Sequence, residues 1–194
     1  MANRTPVSAA GQIPVEEKAQ LMSASEIDRT LVRLAHEILE RNNGVENMVL
    51  VGIERRGVPL ARRLAQTIAG IESTEPQVEI LDVTFYRDDL SKAAPRPVVE
   101  SVPPAFSVDG KKVILVDDVL FTGRTTRAAL DALLAFGRPR RVELCVLIDR
   151  GHRELPILAN YVGRTLQTSD AEVIEVRLRE VDREDRVILC EKQQ

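Results

Sequence analysis

The run "VILVDDVLFTGRTT" concentrates the chemistry of this chain. Two adjacent carboxylates, Asp117 and Asp118, follow four apolar residues and precede a segment rich in threonine and glycine. Adjacent carboxylates are poor partners for a phosphate. They are good partners for sugar hydroxyls or a hard cation such as Mg2+. A turn that opens a helix presents unpaired backbone amides and the positive end of the helix dipole, and both favour an anion. Thr122, Thr125 and Thr126 add hydroxyl donors, and Gly123 permits close approach or an unusual φ. The segment therefore reads as a cradle for a sugar phosphate, with the phosphate on the turn and the ribose hydroxyls on the acids. Taken singly, each of these residues also suits a helix cap. It is their combination that points to a ligand. Neither G-x-x-x-x-G-K-[ST] nor G-x-G-x-x-G occurs, which weighs against a P-loop or a dinucleotide fold. A phospho-acceptor receiver would carry its acidic pair near the start of the chain, whereas here the pair follows the third expected strand.

Placing such a cradle requires a strand, a turn and a helix. Residues 112–117 read as a strand, 124–137 as a helix and 141–149 as a further strand. Apolar residues at Ile27, Leu31, Leu34 and Ile38 predict an amphipathic helix over 24–41, with Ser25 as its cap and "NNG" as its stop. Residues 48–53 read as a β-branched-rich strand, and 57–70 as a helix with Pro59 in its first turn. Residues 77–86 alternate like a strand. Residues 87–110 carry four prolines and read as a long loop or loose hairpin, a length usually reserved for function. Shorter strands are expected near 171–180 and 186–190. Strands alternating with helices imply an α/β fold with a mostly parallel sheet, whose ligands sit at the carboxyl ends of the strands.

The composition agrees. The 194 residues are 44% hydrophobic and 29% charged, as in an ordinary globular domain. No apolar run approaches the ~20 residues of a membrane span. Residues 1–20 read as a loose leader without the apolar stretch of a signal peptide, and 21–194 as a single domain, so a cytoplasmic protein is expected. The net charge of −3 argues against uniform nucleic-acid coating but leaves room for a local basic patch. Cys145 and Cys190 are distant from each other, and neither has a nearby histidine in sequence. That suggests neither a zinc site nor a disulfide framework.

"VILVDDVLFTGRT" resembles the phosphoribosyl pyrophosphate (PRPP) signature of the type I phosphoribosyltransferases. "RLAHEILERN", "LVGIERRGVPLARRLA", "DVTFYRDDLSK" and "LIDRGHRELPILANYVG" narrow the resemblance to the PyrR family, over nearly the whole chain from about Leu21. The resemblance implies a central mostly parallel sheet flanked by helices, with a flexible loop and a small hood. It also implies the reaction uracil + PRPP → UMP + pyrophosphate, with Mg2+, coupled to control of pyrimidine genes through RNA attenuation. Carried over, Asp117 and Asp118 hold the ribose hydroxyls and meet the metal only through ribose or water. Val119, Leu120, Phe121, Thr122, Gly123, Arg124, Thr125 and Thr126 surround the substrate. Arg55, Arg56 and Gly57 match the pyrophosphate loop. Cations disfavour a helix N-terminus, so "ERRG" there asks for an anion, and a guanidinium fork suits pyrophosphate. Tyr86, Arg87 and Asp88 match a closing loop, and Arg150 and His152 a hood near the base. Relatives that act on 6-oxopurines carry an acid where this chain has Phe121, so the resemblance disfavours a purine. Phe121 can instead lie against a flat pyrimidine.

No nucleophile–base pair is visible. Catalysis is expected from alignment and from stabilising the departing pyrophosphate. Arg29, Arg33 and His36 share one helical stripe, with Arg41 beyond. The resemblance makes this an RNA-contacting surface for a messenger leader, with UMP as corepressor. One position departs, since RNA-binding relatives carry Thr where this chain has Val32. The stripe also fits a solvated helix face. An enzyme without RNA binding, or a regulator with little catalysis, therefore stays open. Family members assemble as dimers or larger, so a homo-oligomer is expected.

Overall fold

The computed structural model describes residues 15–86 and 106–193. Strand β1 (Val15–Ser23) leads into helix α1 (Ala24–Asn42). Then follow β2 (Met48–Ile53), α2 (Gly57–Glu72), β3 (Gln77–Leu81) and a single 3-10 turn (Thr84–Tyr86). After the gap come β4 (Lys112–Leu120), α3 (Arg124–Leu134), β5 (Arg141–Asp149) and β6 (Tyr161–Thr165). The chain closes with β7 (Glu172–Arg177), α4 (Arg179–Asp182) and β8 (Arg186–Lys192).

Five strands form a parallel sheet in the order β3-β2-β4-β5-β6, so β4 is central. From β2 the chain crosses through α2 to β3 on one side, and from β4 through α3 to β5 on the other. Right-handed crossovers of this kind put α2 and α3 on opposite faces. The alternation along β4 shows it. Ile114 and Val116 join the core with α1 and α2, while Val113 and Leu115 join the core with α3. The alternation slips at the acids, because beyond them Val119 packs with the α1/α2 core and Leu120 with the α3 core. The crevice beyond the carboxyl ends of β2 and β4 is where the crossovers diverge, the usual ligand position in such sheets.

A second sheet, β1-β8-β7, is antiparallel and forms a cap. Residues 15–20, assigned to the leader from sequence, belong to its edge strand. Helix α1 begins at Ser23 rather than Ser25: the Glu26 carboxylate accepts from the Ser23 amide at 2.8 Å and its hydroxyl at 2.7 Å. It ends as expected at Asn43, in the left-handed region with φ 52°. The strand expected over 77–86 stops at Leu81. The Asp82 carboxylate accepts from the Thr84 amide and hydroxyl at 2.8 and 2.6 Å, a local turn that competes with the ladder. Strand β4 runs three residues further than expected, through both acids, because β5 pairs alongside it up to Leu120 and Asp149. No helix among the described residues is long and apolar enough to cross a membrane.

Candidate active site

The turn between β4 and α3 is the centre of the site. Gly123 caps α3 with φ 91°, a conformation that favours glycine. Val119, Leu120, Phe121, Thr122, Gly123, Arg124, Thr125 and Thr126 line one cavity of about 310 Å3, joined by Glu154. The turn expected from sequence is thus brought together as a unit. Arg124 pairs with Glu154 at 2.6 Å, so the cavity carries a carboxylate that sequence reading did not single out.

Asp117 and Asp118 sit just before this mouth. Asp117 is buried, and its carboxylate accepts from the Asp118 amide at 2.9 Å. The Asp118 carboxylate accepts from the Val119 amide at 2.9 Å. These bonds hold both carboxylates against the backbone just before the mouth. Burial pushes the Asp118 carboxyl above the ordinary aspartate range, and the neighbouring Arg56 guanidinium pulls it back.

Arg56 and Gly57 follow β2. A Cβ at Gly57 would come 2.2 Å from the Val116 carbonyl oxygen and 3.3 Å from the Asp117 Cα. Only glycine lets α2 start this close to the acids. The preceding Glu54–Arg55 peptide is cis. Arg56 is held by Asp182 of α4 in a two-pronged pair at 2.8 and 3.1 Å, which raises its pKa further. Arg55 is exposed and lines a different cavity, with Pro59, Arg62 and Glu180. The structure therefore brings Arg56 to the acids and turns Arg55 elsewhere.

Phe121 stands at the rim with 38% of its surface exposed. The buried Arg150 guanidinium lies 3.9 Å from its ring centroid, and the His152 ring approaches edge-on at 5.9 Å. Arg150 donates to the Thr168 hydroxyl at 2.8 Å and the Glu172 carbonyl at 2.5 Å. His152 Nε2 lies 2.7 Å from the Thr168 carbonyl. Both expected hood residues thus back the one aromatic shelf. Tyr86 ends the 3-10 turn, and its carbonyl accepts from Arg127 of α3 at 3.1 Å. Arg87 and Asp88, the rest of the expected closing loop, lie outside the described residues.

The α1 stripe is more committed than its sequence suggested. Arg33 donates to the Val162 and Gly163 carbonyls at 3.0 and 2.6 Å. Arg41 donates to the Asn160 carbonyl at 3.1 Å and pairs with Glu37 at 3.0 Å. Arg29 and His36 are exposed, as is Val32. Sequence reading missed Asp182 and Arg153. Arg153 donates to carbonyls on both loops of the mouth and pairs with Asp149 at 2.6 Å.

Among the described residues no group of three or more His, Cys, Asp and Glu side chains can hold a metal. The donor set fits Mg2+ in the mode that ion prefers, with substrate oxygens and water as its main ligands and one or two carboxylates nearby.

A doubly wound sheet with paired acids and an anion mouth at its switch point defines a type I phosphoribosyltransferase. The phosphoribosyl transferase domain family matches residues 20–181. Among solved structures, the hypoxanthine phosphoribosyltransferase of Trypanosoma cruzi superposes with a TM-score of 0.69. It is 17% identical, and the match covers 91% of this chain and 98% of that one, a likeness of fold. The Bifunctional protein PyrR of Pelotomaculum thermopropionicum is 59% identical over 90% of this chain and 97% of its own length. That of Clostridioides difficile is 54% identical over 90% and 99%. The chain belongs to the PyrR family.

Proposed function

We propose that the protein is a cytoplasmic uracil phosphoribosyltransferase that converts uracil and PRPP to UMP and pyrophosphate, and that its UMP-bound form binds messenger leader RNA to attenuate pyrimidine genes. The observation that carries this reading is one constellation: an amide-lined mouth, a carboxylate pair before it, a guanidinium beside the pair and an aromatic shelf at the rim.

The 5′-phosphate sits on Thr122, Gly123, Arg124, Thr125 and Thr126, with Val119 and Leu120 as walls. Asp117 and Asp118 take the ribose hydroxyls and stabilise positive charge growing on the ring as pyrophosphate departs. Arg56 exchanges Asp182 for pyrophosphate, which offers more charge and more oxygens to the same fork. Mg2+ bound with PRPP neutralises phosphate charge. Phe121, backed by Arg150 and His152, stacks against the pyrimidine, and the hydrocarbon face rejects the protonated ring nitrogen that an acid would serve in a purine. Tyr86, Arg87 and Asp88 close over the site and exclude water from the reactive sugar. The stripe of Arg29, Arg33, His36 and Arg41 meets RNA, and the working form is a homodimer or larger.

UMP formation from labelled uracil and PRPP, with Mg2+ and with EDTA, tests the enzyme. Hypoxanthine and guanine are the controls, and turnover of either in preference to uracil overturns the base assignment. A gel shift with the leader RNA, with and without UMP and over excess competitor RNA, tests the regulator.

A further inference from the structure

We infer that Arg153 is the positioning residue of the phosphate mouth: it holds the carbonyls of the β4–α3 turn so that the turn's amides face the ligand. The inference rests on the reading of that mouth as the 5′-phosphate site.

Across a trans peptide, the C=O of one residue and the N–H of the next point in opposite directions. The directions of the turn's carbonyls therefore set the directions of its amides. Arg153 Nη1 donates to the carbonyls of Leu120 at 3.3 Å and Phe121 at 2.8 Å. The Thr122 carbonyl accepts from the amides of Glu154 and Leu155 at 3.0 and 3.2 Å. Three successive carbonyls thus face residues 150–155, which leaves the amides of Phe121, Thr122 and Gly123 on the far side. The amides of Thr122 and Gly123 meet no acceptor among the described residues. Both residues line the cavity.

Arg153 is itself anchored. Its Nη1 also donates to the Gly151 carbonyl at 2.9 Å, its Nε to the Ile157 carbonyl at 3.0 Å, and its Nη2 pairs with Asp149 at 2.6 Å. Only a planar, five-donor guanidinium can serve four carbonyls and a carboxylate at once. A lysine keeps the charge opposite Asp149 but not the fork.

The test compares Arg153→Lys and Arg153→Gln with the wild type by calorimetric binding of UMP and, separately, of pyrophosphate. Both variants are expected to bind UMP about tenfold or more weakly, as for loss of aligned donors to a charged group, with pyrophosphate affinity within about twofold. UMP affinity within about twofold of wild type in a folded Arg153→Lys overturns the inference. Parallel loss of UMP and pyrophosphate binding also overturns it, because that marks general loosening. In the wild type, amide exchange at Thr122 and Gly123 is expected to slow with UMP and not with pyrophosphate. Unchanged exchange with UMP counts equally against Arg153, and needs no variant to fold. A wild type that binds no UMP at all sinks the reading of the mouth instead.

Discussion

The β4–α3 mouth and the α1 stripe both carry groups suited to phosphate, but their hydrogen bonds are distributed in opposite ways. In the mouth, protein donors engage the carbonyls, and the amides of Thr122 and Gly123 are left for a ligand. On the stripe, Arg33 and Arg41 already donate to the carbonyls of Asn160, Val162 and Gly163. The mouth is preorganised, so binding there needs little rearrangement. On the stripe, Arg33 and Arg41 already have partners, so any contact they made to RNA would be shared and would add less. The same β5–β6 segment supplies both arrangements, with Arg153 near its start and the carbonyls of 160–163 near its end. Counting arginines does not separate the two surfaces, whereas asking which groups lack a partner does.

The largest effect is expected from Asp118→Asn. If Asp118 faces the forming ribose cation as proposed, removing its charge should lower kcat by about 100-fold or more, as for loss of one preorganised electrostatic group. Stability should move the other way. Burial raises the folded-state pKa of Asp118, so its favourable share is present at low pH and lost as pH rises through that pKa. Asparagine at neutral pH should leave the thermal midpoint unchanged or higher. Near-normal kcat would remove the acid from the mechanism and make the mouth no more committed than the stripe.

Arg56→Ala should come next, raising the KM for PRPP by about tenfold or more through loss of a two-pronged anion contact. It also shifts a pH limb. Arg56 holds the Asp118 carboxyl down, so its removal raises that pKa. Activity needs the ionised form, is present above the pKa, and is lost as pH falls through it. The acid limb of kcat/KM in Arg56→Ala should therefore lie at higher pH than in the wild type, and an unmoved limb would separate the two residues.

How far the sequence revealed these surfaces follows from the range of each contact. The mouth is contiguous in sequence, and its residue types name their own chemistry. The helical face of Ile27, Leu31, Leu34 and Ile38 was equally legible, and all four residues are buried. Arg153 was not, because the partners that tie it to the mouth are the Leu120 and Phe121 carbonyls, groups every residue carries, about thirty positions upstream. Asp182 reaches Arg56 across more than half the chain, from a four-residue helix. Strand β1 escaped because its first six residues are all exposed and show no alternation, its pairing with β8 being what holds it. In β6 the run "YVGRT" is interrupted by Gly163. A Cβ there would meet the Leu147 carbonyl oxygen at 2.3 Å and the Thr30 side chain at 2.8 Å. Close packing of α1 on the sheet explains that glycine, and nothing local announces it.

On the stripe, the exposed Arg29 should matter through phosphate alone. Arg29→Ala is expected to weaken leader RNA binding a few-fold and to reduce the salt slope by about one unit, uniformly across sequences. An unchanged slope would place the RNA elsewhere. Arg33→Ala is a poorer probe, since it also frees two β6 carbonyls.

The smallest expected effect is Val32→Thr. Val32 is 46% exposed on α1, next in sequence to Arg33. Threonine has nearly the same shape and a similar helix propensity, so the fold should not notice the exchange. The added hydroxyl restores the donor that the family resemblance associates with RNA contact. One neutral hydrogen bond contributes about 0.5–1.5 kcal/mol, or roughly a two- to tenfold gain in affinity. A gel shift with leader RNA and UMP measures it. A gain confined to the leader would mark position 32 as reading the RNA, because a hydroxyl adds no charge for competitor RNA to share. An equal gain on competitor, or none, would mean that binding on this face rests on cations alone and that the departure at Val32 costs the protein nothing.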